Sequence, residues 1–248
     1  MSGANAGKRV GFLVAGAQKA GTTALFDYLA EFPTLEMPPV KEAHFFDDEE
    51  QVDWSAPDYA RYHELFSSRD CLWGEATPIY FYWPNALERI RAYNPAMRLI
   101  FLFRDPVERA WSHWKMEYAR GKETEPFAWC IREGRARMAN GSPYPGFHRV
   151  YSYVERGFYG RQLARALTLF PRDQILTLSS EQLKNDPTAT LAAICRFLGI
   201  PEPDRPAEPK LSRPAANIRY PATLASEDVI FLQRQFADEM ARFDQLRA

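Results

Sequence analysis

Apolar residues along this chain gather in two kinds of pattern. Val10 to Val14 is a continuous apolar run, short enough for a buried strand. Arg98-Leu-Ile-Phe-Leu-Phe103 is another, apolar throughout as a parallel strand covered on both faces would be. Gln174-Ile-Leu-Thr-Leu178 reads as a third. Between these runs apolar positions recur at helical spacing: Leu25, Phe26 and Leu29; Ala86, Leu87 and Ile90 within Asn85 to Tyr93; Leu191, Ile194, Phe197 and Leu198; and Ile230, Leu232, Phe236, Met240 and Phe243 within 226–246. Pro106 suits a first helical turn, with Glu108 where the helix dipole favours it. Asp186-Pro187 marks the start of a helix and Gly199 its C-terminal cap. Tyr151 to Phe170 is helical in pattern but bent near Gly157 and Gly160. Strands alternating with helices predict an α/β fold, a single domain over 9–248 with a mainly parallel central sheet flanked by helices.

The stretches outside this pattern are informative too. Residues 1–8 are small and polar and read as a frayed terminus. Two prolines, Pro38 and Pro39, rule out helix before Lys41-Glu-Ala-His-Phe-Phe-Asp47. Glu75-Ala-Thr-Pro-Ile-Tyr-Phe-Tyr82 is rich in strand formers but interrupted by Pro78, so it reads as an edge or a loop near a site. Residues 120–150 carry Gly, Pro, Arg and Asn and predict a long loop or lid with one short helix around Phe127–Ile131. Pro201 to Pro214 is a proline-rich loop.

Composition narrows the class. The 248 residues, 46% hydrophobic and 14% aromatic, can build a substantial core. A net charge of −1 gives no whole-protein reason to expect nucleic acid or an anionic membrane as partner. Three separated cysteines, Cys71, Cys130 and Cys195, form neither a disulfide framework nor a zinc pattern and fit a reducing cytoplasm. No apolar run approaches the roughly 18 residues of a membrane helix.

The candidate chemistry lies where the first strand gives way to the first helix. Gly16-Ala-Gln-Lys-Ala-Gly-Thr-Thr23 is a small-residue loop between them, the layout of a phosphate-binding loop. Glycines let backbone N–H groups approach an anion, and Thr22 and Thr23 offer hydroxyls in the first helical turn. Gly16 and Gly21 have the spacing of the nucleoside triphosphate motif, but Thr22 stands where that motif has lysine; the one lysine, Lys19, is inside the loop. A strand-to-helix turn with no ligand is the plain alternative. In an extended segment side chains alternate, so Glu42 and His44 share a face while Lys41 and Ala43 point away. With Asp47 they make an acid/base cluster; the alternative is that His44 and Asp47 pair to pin a loop over Phe45 and Phe46. Arg104 follows a strand's carboxyl end, the edge where open α/β sheets bind ligands, and Ser112 comes about two helical turns later. The alternative for Arg104 is a salt bridge to Asp105 or Glu108. Trp54, Tyr80 and Tyr82, with 120–150, are candidates to line an acceptor.

Taken together, these motifs resemble the sulfotransferases that use 3′-phosphoadenosine 5′-phosphosulfate (PAPS), and most nearly the branch of heparan-sulfate sulfotransferase domains and small bacterial sulfotransferases. Gln18-Lys-Ala-Gly-Thr-Thr23 is similar to that family's 5′-phosphosulfate loop, Phe103-Arg-Asp-Pro-Val-Glu-Arg-Ala-Trp-Ser112 to its 3′-phosphate element, and Lys41–Asp47 to its catalytic segment. Glu75-Ala-Thr-Pro-Ile-Tyr80, Gly157-Phe-Tyr159, Phe170-Pro171, Asp186-Pro187 and Arg219-Tyr-Pro221 are weaker matches. The resemblance implies a P-loop-type fold and sulfuryl transfer from PAPS to a hydroxyl of a small molecule or a sugar. It implies Glu42 as general base, Lys19 on the bridging oxygen, and His44 orienting Glu42 or acting as a second base, with Asp47 fixing His44. Gln18, Lys19, Ala20, Gly21, Thr22, Thr23, Arg104, Ser112, Arg219 and Tyr220 would hold the donor, with no metal required. Ala76 stands where heparan-type enzymes often carry lysine, and their C-terminal cysteine pair is absent. A small-molecule kinase and a non-catalytic nucleotide-binding module are the competing readings of the loop.

Overall fold

The computed structural model describes residues 7–67, 70–140, 146–203, 206–208, 210 and 220–247. Backbone packing divides the chain into two compact units, one of residues 1–103 with 166–212, the other of residues 104–165 with 213–248.

The first unit holds a five-stranded sheet in the order β2-β3-β1-β4-β5, with every pairing parallel. The strands are β1 (Phe12–Gly16), β2 (Leu35–Glu36), β3 (Leu72–Glu75), β4 (Arg98–Phe103) and β5 (Ile175–Ser179). β1 and β4 are interior strands, and Phe12, Leu13, Val14 and Leu99 to Leu102 are all fully buried, so both of their faces are covered. Their unbroken apolar runs follow from that position. β5, at the edge, alternates less cleanly, with Thr177 and Ser179 only half-buried.

The helix after Asp186 obeys the expected end signals. Helix Pro187–Leu198 starts where the Asp186 side chain accepts from the Ala189 N–H at 2.9 Å and stops at Gly199, whose φ of 66° only glycine adopts without strain. Two strands escape the apolar pattern. β2 is two residues long. β3 carries Trp73, Gly74 and the ionisable Glu75 in an interior position, so it lacks the Val/Ile/Leu signature. The strand-like stretch 75–82 is therefore the end of β3 followed by a loop, not an edge strand. Lys8 is anchored: its ammonium donates to the Cys71 carbonyl at 2.7 Å and lies 4.7 Å from the Trp73 ring, whereas 1–6 fall outside the described residues.

The second unit packs helix Pro106–Ala119 against helix Ser226–Arg247 around Val107, Trp114, Phe127, Tyr153, Phe158, Leu232 and Phe236. The predicted helix over Tyr151–Phe170 is interrupted, as a short α-helix at His148–Tyr151, a 3-10 turn at Glu155–Gly157 and helix Tyr159–Leu169. The predicted loop or lid carries its expected short helix, Phe127–Cys130, and two further short helical segments, Glu133–Arg135 and Ala136–Asn140. Its anchor is the nearly buried Glu123 carboxylate, which takes the Arg137 guanidinium at 2.8 Å and the Tyr153 hydroxyl at 2.9 Å. Residues 141–145 fall outside the described residues.

In the sheet, Phe12 of β1 pairs with Gly74 of β3, and its ring lies over the glycine. A Cβ at Gly74 would stand 1.9 Å from the Phe12 Cζ. Gly74→Ala is expected to destabilise the protein by about 1–3 kcal/mol through overpacking, read from the midpoint of urea unfolding.

Candidate active site

The loop after β1 is shaped by two left-handed residues, Lys19 at φ 73° and Gly21 at φ 94°. The Ala17 N–H donates to the Leu102 carbonyl of β4 at 2.8 Å, fastening the loop to the neighbouring strand. The Ala20 N–H closes a tight turn on the Ala17 carbonyl at 3.2 Å. Helix α1 (Thr22–Leu29) then begins with Gly21 as its N-cap and no side-chain cap. Its first-turn N–H groups are of the kind an anion can satisfy, and the dipole adds to the attraction. Thr22 is buried and Thr23 exposed. Gln18 and Lys19 are partly exposed.

The acid/base segment is assembled by a route that alternation does not describe. Glu42 and His44 both have positive φ, 69° and 53°, so 41–45 is not a regular extended strand. The side chains nevertheless converge. His44 Nδ1 is 2.9 Å from Asp47 Oδ2, and its Nε2 is 3.4 Å from Glu42 Oε2. Lys41, expected to point away, brings its ammonium within 2.5 Å of Glu42 Oε1, because the left-handed turn at Glu42 swings the two side chains together. The pairing of His44 with Asp47 over a buried Phe45 and Phe46 is present as the plain alternative describes it. What that alternative leaves out is Glu42, held between an ammonium and an imidazole.

The charges follow from this geometry. Burial works to raise the Glu42 carboxyl, but the His44 hydrogen bond and the Lys41 charge outweigh it and hold it at about 2. Burial works to lower His44, but its hydrogen bonds to Asp47 and Glu42 push it up to about 9. At neutral pH Glu42 is therefore a carboxylate and His44 an imidazolium, with both ring nitrogens donating.

One stretch ties this segment to the phosphate loop. The Phe81 N–H donates to the Ala15 carbonyl of β1 at 2.9 Å, and the Ala76 carbonyl accepts from the Glu42 N–H at 3.1 Å. Tyr80, expected to line an acceptor, is instead fully buried, its hydroxyl accepting from the Phe45 N–H at 3.0 Å. Lys41, Glu75 and Thr77 thus contact this segment although alternation does not single them out; the signal for Glu75 and Thr77 is polar groups in a strand-like stretch.

In the second unit, Arg104 forks onto Glu108 at 2.9 and 2.7 Å, the salt bridge considered as its alternative. The Asp105 side chain caps this helix by accepting from the Glu108 N–H at 2.9 Å, and Ser112 lies within the helix, partly exposed. Tyr220 packs near the rings of Trp114 and Tyr118, with the Lys115 ammonium 5.7 Å from its centroid. Arg219 lies outside the described residues.

Residues 11–212 match the family model described as the sulfotransferase domain. The chain belongs to the sulfotransferase family. Among its relatives is heparan sulfate glucosamine 3-O-sulfotransferase 3B1 of Mus musculus, 29% identical over 202 residues, covering 80% of this chain and 48% of the relative. Heparan sulfate glucosamine 3-O-sulfotransferase 6 of Homo sapiens is 30% identical over 193 residues, covering 76% and 52%. The chain spans about half the length of the curated relatives it matches. Among solved structures, a sulfotransferase from Alicyclobacillus acidocaldarius superposes with a TM-score of 0.80 at 26% identity, covering 97% of this chain and 96% of that one. The parallel sheet, the loop after β1 and the flanking helices are the P-loop-type architecture expected from the sequence.

The His44 value is measurable directly. Its imidazole is expected to titrate at about 9 by nitrogen NMR, and Asp47→Asn is expected to bring that titration down toward the ordinary 6.5. Stability should depend on pH through the same two groups. His44 is raised, so its contribution is complete below 6.5 and lost as pH rises through about 9. Glu42 is lowered, so its contribution holds above 4.5 and is lost as pH falls through about 2.

Proposed function

We propose that this chain transfers a sulfuryl group from PAPS to a hydroxyl of a carbohydrate or small-molecule acceptor, with Glu42 as the general base. The observation that carries this reading is the Lys41–Glu42–His44–Asp47 charge chain, tied by one stretch of backbone to an anion-type loop in a chain of the sulfotransferase family. The relatives' names speak of a sugar hydroxyl, which supports a carbohydrate. Ala76 is buried and offers no charge to an acceptor, which speaks against the lysine contact of the heparan type and keeps uncharged small molecules in view.

In the reaction the acceptor oxygen forms a bond to sulfur, the bond from sulfur to the bridging oxygen breaks, and adenosine 3′,5′-bisphosphate leaves. By analogy with phosphoryl transfer, positioning and electrostatics supply most of the catalysis. Lys19 neutralises charge on the bridging oxygen, and first-turn N–H groups of α1 with the threonine hydroxyls bind the 5′-phosphate. The attacking hydroxyl gives its proton to Glu42. His44 is an imidazolium with both nitrogens donating, so it has no lone pair for that proton and orients Glu42 instead.

The motif running from Arg104 to Ser112 supports assigning these two residues to the 3′-phosphate. Glu108 is exposed and the Arg104 side chain about a third exposed, and a pair this open to solvent contributes only about 0–1 kcal/mol, so the guanidinium is readily given up to a phosphate. The leaving group is a phosphate that Lys19 can neutralise, so the proposed route calls on no metal ion. We also propose a reducing compartment, on the free thiols of Cys71, Cys130 and Cys195.

Two measurements test this. Adenosine 3′,5′-bisphosphate should bind much more tightly than AMP, and Arg104→Ala should weaken the bisphosphate roughly 10- to 100-fold, the loss of a charge-assisted contact. Equal binding of AMP and the bisphosphate by the unaltered protein overturns the donor assignment. Glu42→Gln should lower single-turnover transfer from labelled PAPS by about 10²–10⁴-fold with bisphosphate binding unchanged, and the unaltered enzyme should keep its activity in EDTA. Activity lost in chelator and restored by magnesium would favour a kinase.

A further inference from the structure

The backbone from Glu42 to Phe46 belongs to no strand or helix, yet its N–H groups are held one after another by the stretch 75–80. The Glu42 N–H donates to the Ala76 carbonyl at 3.1 Å and the Ala43 N–H to the Glu75 carboxylate. The His44 N–H donates to Thr77 Oγ1 at 3.4 Å. The Phe45 and Phe46 N–H groups share the Tyr80 hydroxyl oxygen at 3.0 and 3.4 Å. Glu75 is the centre of this cradle. It ends β3, is fully buried, and pairs in register with Leu13 of β1. Besides the Ala43 N–H, its carboxylate receives the Thr77 hydroxyl on Oε1, the Tyr62 hydroxyl on Oε2 at 3.3 Å, and the Tyr80 hydroxyl.

We propose that Glu75 is a positioning residue for sulfuryl transfer: with Thr77 and Tyr80 it fixes the backbone of 42–46 and thereby sets where the Glu42 carboxylate and the His44 imidazole stand. This rests on the function proposed above, with Glu42 as base. The physical case has two parts. Left-handed φ at two non-glycine residues persists only where the surroundings over-determine it, and the cradle is what does so here. A carboxylate has about four acceptor sites, and four donors meet Glu75; a glutamine has one acceptor oxygen and would turn an NH₂ donor toward other donors.

The cradle also carries a pH signature. Burial pushes the Glu75 carboxyl up to about 7 against the hydrogen bonds of Thr77 and Ala43, with the Asp47 charge adding to the rise and Tyr80 opposing it. The titratable groups facing Glu75 are Asp47 from the acid/base segment, Tyr62 from the short helix Ala60–His63 and Tyr80 from its own loop. Below that pH the carboxyl becomes a donor at one oxygen, and one of its four donors loses its acceptor. Glu42, at about 2, and His44, at about 9, do not titrate there.

The test follows sulfuryl transfer from PAPS, to water or to any hydroxyl acceptor the unaltered enzyme turns over, across neutral pH. Bisphosphate affinity is measured on the same samples. The unaltered enzyme should show kcat falling on the acid side with a midpoint near 7, while bisphosphate affinity stays level. Glu75→Gln should lower plateau kcat roughly 10- to 100-fold, the size of a small misplacement of catalytic groups, and abolish that acid limb without weakening bisphosphate binding. Thr77→Val keeps the carboxylate but removes a hydrogen bond that lowers its pKa, so the midpoint should move upward, and Thr77→Ser should restore it. This pair serves where Glu75→Gln does not fold, and a merely structural threonine would not move a midpoint. An acid limb that persists in Glu75→Gln, or that stays put in Thr77→Val, overturns the proposal while leaving the base assignment to the Glu42→Gln result. Normal turnover in Glu42→Gln instead overturns the reading on which the proposal rests.

Discussion

A buried backbone amide without a partner is too costly to keep, so a segment that leaves regular structure near the core needs its hydrogen bonds supplied from elsewhere. That constraint governs the first unit. The segment 42–46 carries left-handed residues at Glu42 and His44, which no β-ladder can accommodate, and it lies over the buried rings of Phe45 and Phe46. The end of β3 and the loop after it supply what a ladder would have supplied: a carbonyl, a carboxylate and two hydroxyls. The polar residues of 75–80 are buried in an otherwise apolar neighbourhood because of this task. The same loop anchors on Ala15 through Phe81, so the acid/base segment and the phosphate loop share one support.

How much of this is legible in the sequence depends on whether local physics decides it. β1, β4 and β5, the cap at Asp186, the stop at Gly199 and the first turn at Pro106 are set by burial and capping within a few residues, and all are readable. β3 is not, because its interior position is enforced by long-range packing: Gly74 is there to admit the Phe12 ring, and a glycine reads locally as a break. The stretch 120–150 reads as a long loop or lid with one short helix on its Gly, Pro, Arg and Asn content, yet a partly buried ion pair between Glu123 and Arg137 holds further short helices in it. Such a pair joins positions whose charges look solvated when taken one at a time.

The cluster of Glu42, His44 and Asp47 shows a right grouping reached through a wrong geometry. Alternation in an extended strand puts Glu42 and His44 on one face and Lys41 on the other. The chain brings all of them together instead by turning left-handed at Glu42 and at His44. A residue with positive φ and a full side chain is invisible to period-two reasoning, because the sequence carries no glycine to mark it. Lys41 is missed for that reason alone, and it contributes the nearest charge to Glu42, 2.5 Å away.

A carboxylate held at about 2 is a poor base toward a resting alcohol, and its proposed role is consistent with that only through the timing of proton transfer. As the acceptor oxygen binds sulfur it loses electron density, and its proton becomes far more acidic than that of the free alcohol. A weak, fully ionised base in the right place can take the proton at that stage, whereas a stronger one would be partly protonated beforehand. Lys41 and His44 then have two consequences. They hold Glu42 ionised at any ordinary pH, and under the proposed reaction they would place positive charge beside the sulfuryl group as it passes between two oxygens. Asp47, buried beneath His44, keeps the imidazole charged and so keeps both of its nitrogens donating. Base strength is given up for certainty of charge and position. In a transfer whose catalysis is mostly electrostatic, a base that is always ionised and correctly placed accelerates the reaction more than a stronger one held loosely.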